Sequence, residues 1–200
     1  MRTAGFGALW LVAMMVPVHA QSGPAIPALR PTTQRPAREL IGKQELAKIT
    51  PRVLDALTPE SSSILISLSK QRAYLMLGGE IAIDTPISSG KRSRMTPKGH
   101  FSVLEKDKDH RSNVYGAFVD RAGRVVRAGV SSRIDAAPSG THFVGAPMLF
   151  FMRLTEEGVG IHIGILPGYA ASHGCVRMPA EIAPLFYEKV KIGTPAEIVD

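Results

Sequence analysis

The sequence holds one cysteine, Cys175, among 200 residues, so an internal disulfide is excluded. Aromatic residues are sparse, and no basic run is interleaved with them. That removes the usual signature of a nucleic-acid groove, and no nucleic-acid partner is expected. Past Val18 no apolar run approaches the roughly 20 residues that cross a bilayer. No internal repeat is visible. No second cysteine or closely spaced histidine pair accompanies Cys175 in the manner of a zinc centre, so no metal and no cofactor is expected. A site built from His162, His173 and Cys175 is the one metal arrangement the residues leave open.

What is present suits one modest domain with flanking segments. Hydrophobic residues make up 44% of the chain, enough for a real core. Arg2, the apolar run Leu9 to Val18, and Val18-His19-Ala20 read as an export signal over 1–20, cut before Gln21; a retained anchor is the alternative. Export places the rest of the chain in the periplasm, with no stable membrane insertion once the signal is removed. The formal charge of +7 suits anionic partners such as a wall polymer, or simply solubility. A lone thiol in an oxidising compartment is a liability unless it does chemistry; a buried, inert cysteine is the other reading.

Gln21 to Arg38 is rich in Pro, Ala, Thr and Gln and reads as a tether. Glu39 to Leu57 has helical spacing broken at Pro51, which predicts one or two short helices, so that 21–61 forms a tether plus short helices. From Ser62 the period changes to two. Strands are expected at Ile64 to Leu68, then at Ala73 to Leu77 and Ile81 to Ile87 around a Gly78-Gly79 hairpin. Further strands are expected at His100 to Leu104, Val114 to Val119, Val125 to Val130, within Phe143 to Leu154, and at Val159 to Ile163. A helix is expected over Ala180 to Ile192, opened by Pro179 and closed by Gly193, with a last strand at Ala196 to Val199. This pattern predicts a mainly β domain over 62–199, a sandwich or partly open barrel with one late helix.

The chemistry concentrates in Ile161-His162-Ile163-Gly164, Leu166-Pro167-Gly168-Tyr169 and Ser172-His173-Gly174-Cys175-Val176-Arg177-Met178. The Pro-Gly turn is expected to fold the two halves back so that His162 meets Cys175. An ordinary thiol titrates near ~8.5, so an adjacent imidazolium or Arg177 is expected to hold it as a thiolate. A thiolate–imidazolium pair is a competent acyl-transfer nucleophile. Gly174 leaves room beside the sulfur and lets backbone N–H groups turn toward an oxyanion. Arg177 suits a substrate carboxylate. Plainer roles exist for each: His173 as a turn cap, Arg177 as the partner of Glu181, and His100, His110 and His142 as surface or hydrogen-bonded residues.

The segment His162 to Met178 resembles the active-site signature of the bacterial L,D-transpeptidases, a His on a strand followed by Ser-His-Gly-Cys, a branched aliphatic and Arg. Gln71 to Gly90, Thr96-Pro97-Lys98-Gly99-His100-Phe101, Ser112-Asn113-Val114-Tyr115, Ala146-Pro147-Met148 and Phe151-Met152-Arg153-Leu154 extend the likeness over roughly Ser62 to Val199. The resemblance implies a β-sandwich with a flap over a catalytic cysteine. It implies Cys175 as nucleophile and His162 as proton acceptor and donor. It gives His173, Gly174 and Arg177 to the oxyanion and substrate side, and Ser172 to the support of the turn. It implies peptidoglycan stem peptides as partners, a thioester formed with release of D-alanine, and transfer to a second stem as a 3→3 cross-link. Hydrolysis or D-amino-acid exchange at the same site is the alternative. One departure stands out. Many members carry Gly directly after the first His, whereas Ile163 intervenes here, and this leaves open which carbonyl orients His162.

Overall fold

The computed structural model describes residues 44–200. The expected signal segment 1–20 and the tether Gln21 to Arg38 lie outside the described residues. No described helix is long and apolar enough to cross a membrane.

Strands are numbered along the chain. The larger sheet has six, in the order β1-β4-β3-β2-β13-β5. These are β1 (Lys48–Ile49), β2 (Ser62–Ser67), β3 (Arg72–Leu77), β4 (Glu80–Pro86), β5 (Gly99–Ser102) and β13 (Pro195–Val199). The Gly78-Gly79 turn joins β3 to β4 as expected; Gly78 takes φ +57°, a left-handed value that glycine adopts at low cost. A second sheet runs β12-β11-β10-β6, from β6 (Glu105–Asp107), β10 (Phe151–Arg153), β11 (Gly160–Ile163) and β12 (Val176–Met178). A third runs β8-β7-β9, from β7 (Arg111–Val119), β8 (Val125–Ser131) and β9 (His142–Pro147).

One buried cluster takes Ile64, Ile66, Leu75, Ile83 and Ile198 from the first sheet and Met152, Ile161, Val176 and Met178 from the second. The period-two alternation of each strand supplies these side chains to the space between the sheets, which is the sandwich expected from the pattern. Helices close its edges. Glu39 to Leu57 yields, within the described part, β1 and a single helix, α1 (Pro51–Ala56). Pro51 does not interrupt that helix; it opens it, where no N–H is needed.

The late helix, α2 (Ala183–Lys189), is shorter than its sequence period suggested. It begins past Pro179, with Pro184 in its first turn. It ends before Gly193, because Lys106 Nζ donates to the terminal carbonyls of Tyr187 and Val190, both at 2.6 Å. A cation at the negative end of a helix is favourable, and it satisfies carbonyls that would otherwise lack partners.

Candidate active site

Two strands of the second sheet carry the site. β11 and β12 pair in parallel, with Ile161 opposite Val176, His162 opposite Arg177 and Ile163 opposite Met178. The two halves come back side by side around the Pro167-Gly168 turn, but as parallel strands. Parallel neighbours need a crossover, and residues 164–175 provide it. The two side chains, His162 and Cys175, still fall on one face, although the thiol's hydrogen bond goes to Gly158 O and not to His162. Ile161, Val176 and Met178 point into the core and are fully buried, so His162, Arg177 and, two residues before Arg177, Cys175 share the opposite face.

The loop that delivers Cys175 is held by hydrogen bonds to β4's extension, Ile87 to Gly90. Ser88 and Arg177 exchange backbone bonds at 2.9 and 3.0 Å, and Ser172 N–H donates to Ser89 O at 2.9 Å. Thr96, buried, accepts from Gly90 N–H at 2.9 Å and donates to Gly174 O at 2.7 Å. Ser172, also buried, donates to Cys175 O and accepts from Gly174 N–H at 3.1 Å. Ser172 thus ties the turn together from inside. Gly174 takes φ +124°, which only glycine adopts without strain. Its own N–H is committed to Ser172, and its conformation lets the backbone turn at the cysteine, as its position suggested.

His162 is 7% exposed. Its Nδ1 lies 2.7 Å from Ile163 O. A carbonyl can only accept, so Nδ1 carries the proton and Nε2 keeps a free lone pair. The intervening Ile163 thus supplies the orienting carbonyl itself. Gly164 is needed one residue later because a Cβ there would lie 2.6 Å from Arg177 Cγ.

Electrostatics correct one expectation. Burial pushes His162 down to about 4, helped by Arg177 and His110, while the bond to Ile163 O opposes the shift. Burial also pushes the Cys175 thiol up; Gly160 N–H, Arg177 and Arg153 pull it back only in part. Burial thus disfavours charge on each group taken singly, which weighs against the standing thiolate–imidazolium expected from sequence. The thiol donates to Gly158 O at 3.7 Å. A neutral imidazole with a free Nε2 has the chemistry of a general base.

His173 projects from the loop to solvent. Tyr115 of β7 stacks on it at 4.5 Å, and Lys91 Nζ donates to its Nε2 at 3.3 Å. Burial, then Lys91, Arg94 and Arg177, lower its pKa. Together with Arg177 these side chains make one rim of the site cationic. Glu181 is not among the carboxylates that form ion pairs in the described residues.

Sequence reasoning gave no site role to Phe151 and Gly160, and read His110 only as a surface or hydrogen-bonded residue, which its bond to Asp107 fits. Phe151 packs on His162 at 6.4 Å, and His110 stacks flat on Phe151 at 4.1 Å with its Nδ1 3.1 Å from Asp107. A Cβ at Gly160 would lie 2.5 Å from the Phe151 ring. Nothing local marks these residues, since their roles come from cross-strand register. Glu105, Asp107 and His110 group closely enough to hold a cation, but Arg153 already occupies Glu105 at 2.6 Å.

The model of the YkuD family, the L,D-transpeptidase catalytic domain, matches residues 61–198. L,D-transpeptidase 1 of Mycobacterium tuberculosis is 28% identical over 138 residues, 66% of this chain and 48% of that protein. The probable L,D-transpeptidase ErfK/SrfK of Salmonella typhimurium is 25% identical over 142 residues, 68% of this chain and 44% of that protein. The chain thus spans about half the length of the curated relatives it matches. An L,D-transpeptidase structure from Mycobacterium smegmatis has a TM-score of 0.53 at 20% identity, covering 70% of this chain and 59% of that one. A structure of LdtMt1 in complex with imipenem has a TM-score of 0.52 at 24% identity, with the same coverage. These two likenesses concern the fold.

Proposed function

Because the chain belongs to the L,D-transpeptidase catalytic-domain family, we propose that it is a cysteine-dependent acyl transferase acting on peptidoglycan stem peptides outside the cytoplasm. The observation that carries this reading is the parallel pairing that sets His162, Cys175 and Arg177 on one face, with Nδ1 of His162 engaged by Ile163 O.

The donor is a stem tetrapeptide. His162 Nε2 takes the thiol proton as Cys175 Sγ attacks the carbonyl of the third, diamino-acid residue. The proton then passes to the nitrogen of the departing D-alanine, the C–N bond breaks, and a thioester remains on Cys175. An amine of a second stem attacks the thioester, His162 accepts its proton, and the sulfur leaves, giving a 3→3 cross-link. Backbone N–H groups of the Cys175 turn serve the oxyanion. Arg177 and the His173 rim receive substrate carboxylate. The three-stranded sheet that brings Tyr115 onto His173 acts as the flap.

Incubation of the protein with disaccharide-tetrapeptide, read by mass spectrometry, tests the reading. Cross-linked dimer supports transpeptidation. Tripeptide monomer alone identifies a carboxypeptidase, and incorporation of an added D-amino acid identifies exchange. Cys175→Ala should form none of these; turnover by that variant would remove the nucleophile from the account.

A further inference from the structure

Two rows of side chains cross the site face of the second sheet. One runs Asp107, Phe151, His162, Arg177. The other runs Glu105, Arg153, Gly160 and ends at Cys175, which directly precedes the Ile161–Val176 pair. Gly160 is the one position in that second row with no side chain. The edge of the Phe151 ring takes that place, 2.5 Å from where a Cβ on Gly160 would sit. Arg153 Nε donates to Glu105 Oε2 at 2.6 Å, and its guanidinium lies 5.4 Å from the Phe151 ring centre. Its Nη1 lies 3.3 Å from where a Cβ on Gly158 would sit, and Gly158 O is the acceptor of the thiol. The guanidinium is thus laid against the short backbone stretch on which the sulfur rests.

We propose that Arg153, tethered by Glu105 and laid against Gly158, is an electrostatic positioning residue that favours the anionic form of Cys175. The inference deepens the reading of Cys175 as nucleophile and rests on it. Arg177 favours the sulfur anion from its own strand, and Arg153 does so from the opposite side. Glu105 fixes Arg153 in place and also offsets part of its charge. The other titratable groups facing the sulfur's surroundings are His162 on β11, Asp107 and His110 behind Phe151, and His173 in the loop.

The plainer alternative is a half-exposed ion pair that only braces β6 against β10, a contact worth at most about 1 kcal/mol. The two readings differ in sign. Cys175 is the sole cysteine, so alkylation of the intact protein by iodoacetamide reports on it alone. Its rate against pH follows the thiolate fraction and needs no wall substrate. Arg153→Gln should slow alkylation at neutral pH roughly threefold to tenfold and move the profile to higher pH. Arg153→Lys should stay close to wild type. Glu105→Gln removes the opposing charge and should move the profile the other way, to lower pH. A bracing pair would move both variants in one direction or neither, and that result overturns the proposal. If Arg153→Gln does not fold, Glu105→Gln decides: slower or unchanged alkylation contradicts the inference. Absence of tetrapeptide turnover would count against the function above and leave these profiles readable. Unchanged profiles beside normal turnover would count against Arg153 alone.

Discussion

At the scale of single residues, burial disfavours charge on both members of the proposed Cys175–His162 pair. His162 shows this most directly. Its folded pKa of about 4 lies below the ordinary imidazole value of 6.5, mainly through burial. Between those pH values the unfolded chain binds a proton at His162 and the folded chain does not. Stability therefore falls as pH drops through that window and is fully retained above it, by an amount on the order of 3 kcal/mol. Melting temperatures from pH 7 to pH 4 should fall less steeply for His162→Gln than for wild type; equal slopes would mean that His162 is not held neutral. Cys175, His162 and Arg177 were legible in the sequence because their chemistry is rare and their spacing distinctive. The penalty on charging either group was not, since it depends on how deeply β10 and β11 bury the two groups, which no local spacing encodes.

At the scale of elements, the catalytic turn is shaped by buried hydroxyls more than by its own backbone preference. Thr96 bridges Gly90 N–H and Gly174 O, and Ser172 bridges Gly174 N–H and Cys175 O. Thr96→Val keeps the shape and removes the bridge. It leaves a buried donor and a buried acceptor unmet, which costs roughly 1–3 kcal/mol for each group left unsatisfied. Denaturant unfolding should show a loss in that range, and turnover should fall with it as Gly174 loses its register. A loss under a few tenths of a kcal/mol would show that water replaces the hydroxyl freely. The longer strands were readable from period-two alternation and from the glycine hairpin. β6 and β12, three residues each, were not, because they are too short to show a period. The helix bounds misled for a different reason. Pro179 and Gly193 look like start and stop signals, yet Lys106, far away in sequence, sets where α2 ends.

At the scale of the whole molecule, the sandwich serves to bring two strands into parallel register. In the two larger sheets β2–β3, β3–β4 and β10–β11 are hairpins, β1–β4, β5–β13 and β6–β10 are antiparallel contacts between strands far apart in sequence, and two contacts are parallel, β2 with β13 and β11 with β12. The second of these makes the site. Mainly β class and sandwich architecture followed from the alternating pattern. The parallel pairing did not, since a Pro-Gly turn signals only that the two halves come back together and does not fix the direction of the strands. Central to the proposed function is that Cys175 is an accessible nucleophile served by a neutral His162. Intact-mass spectrometry after exposure to a carbapenem tests it most directly. The wild-type chain should gain the mass of one acyl adduct, mapped to Cys175, and Cys175→Ala should gain none. An unmodified wild-type mass, or an adduct that persists in Cys175→Ala, would contradict it.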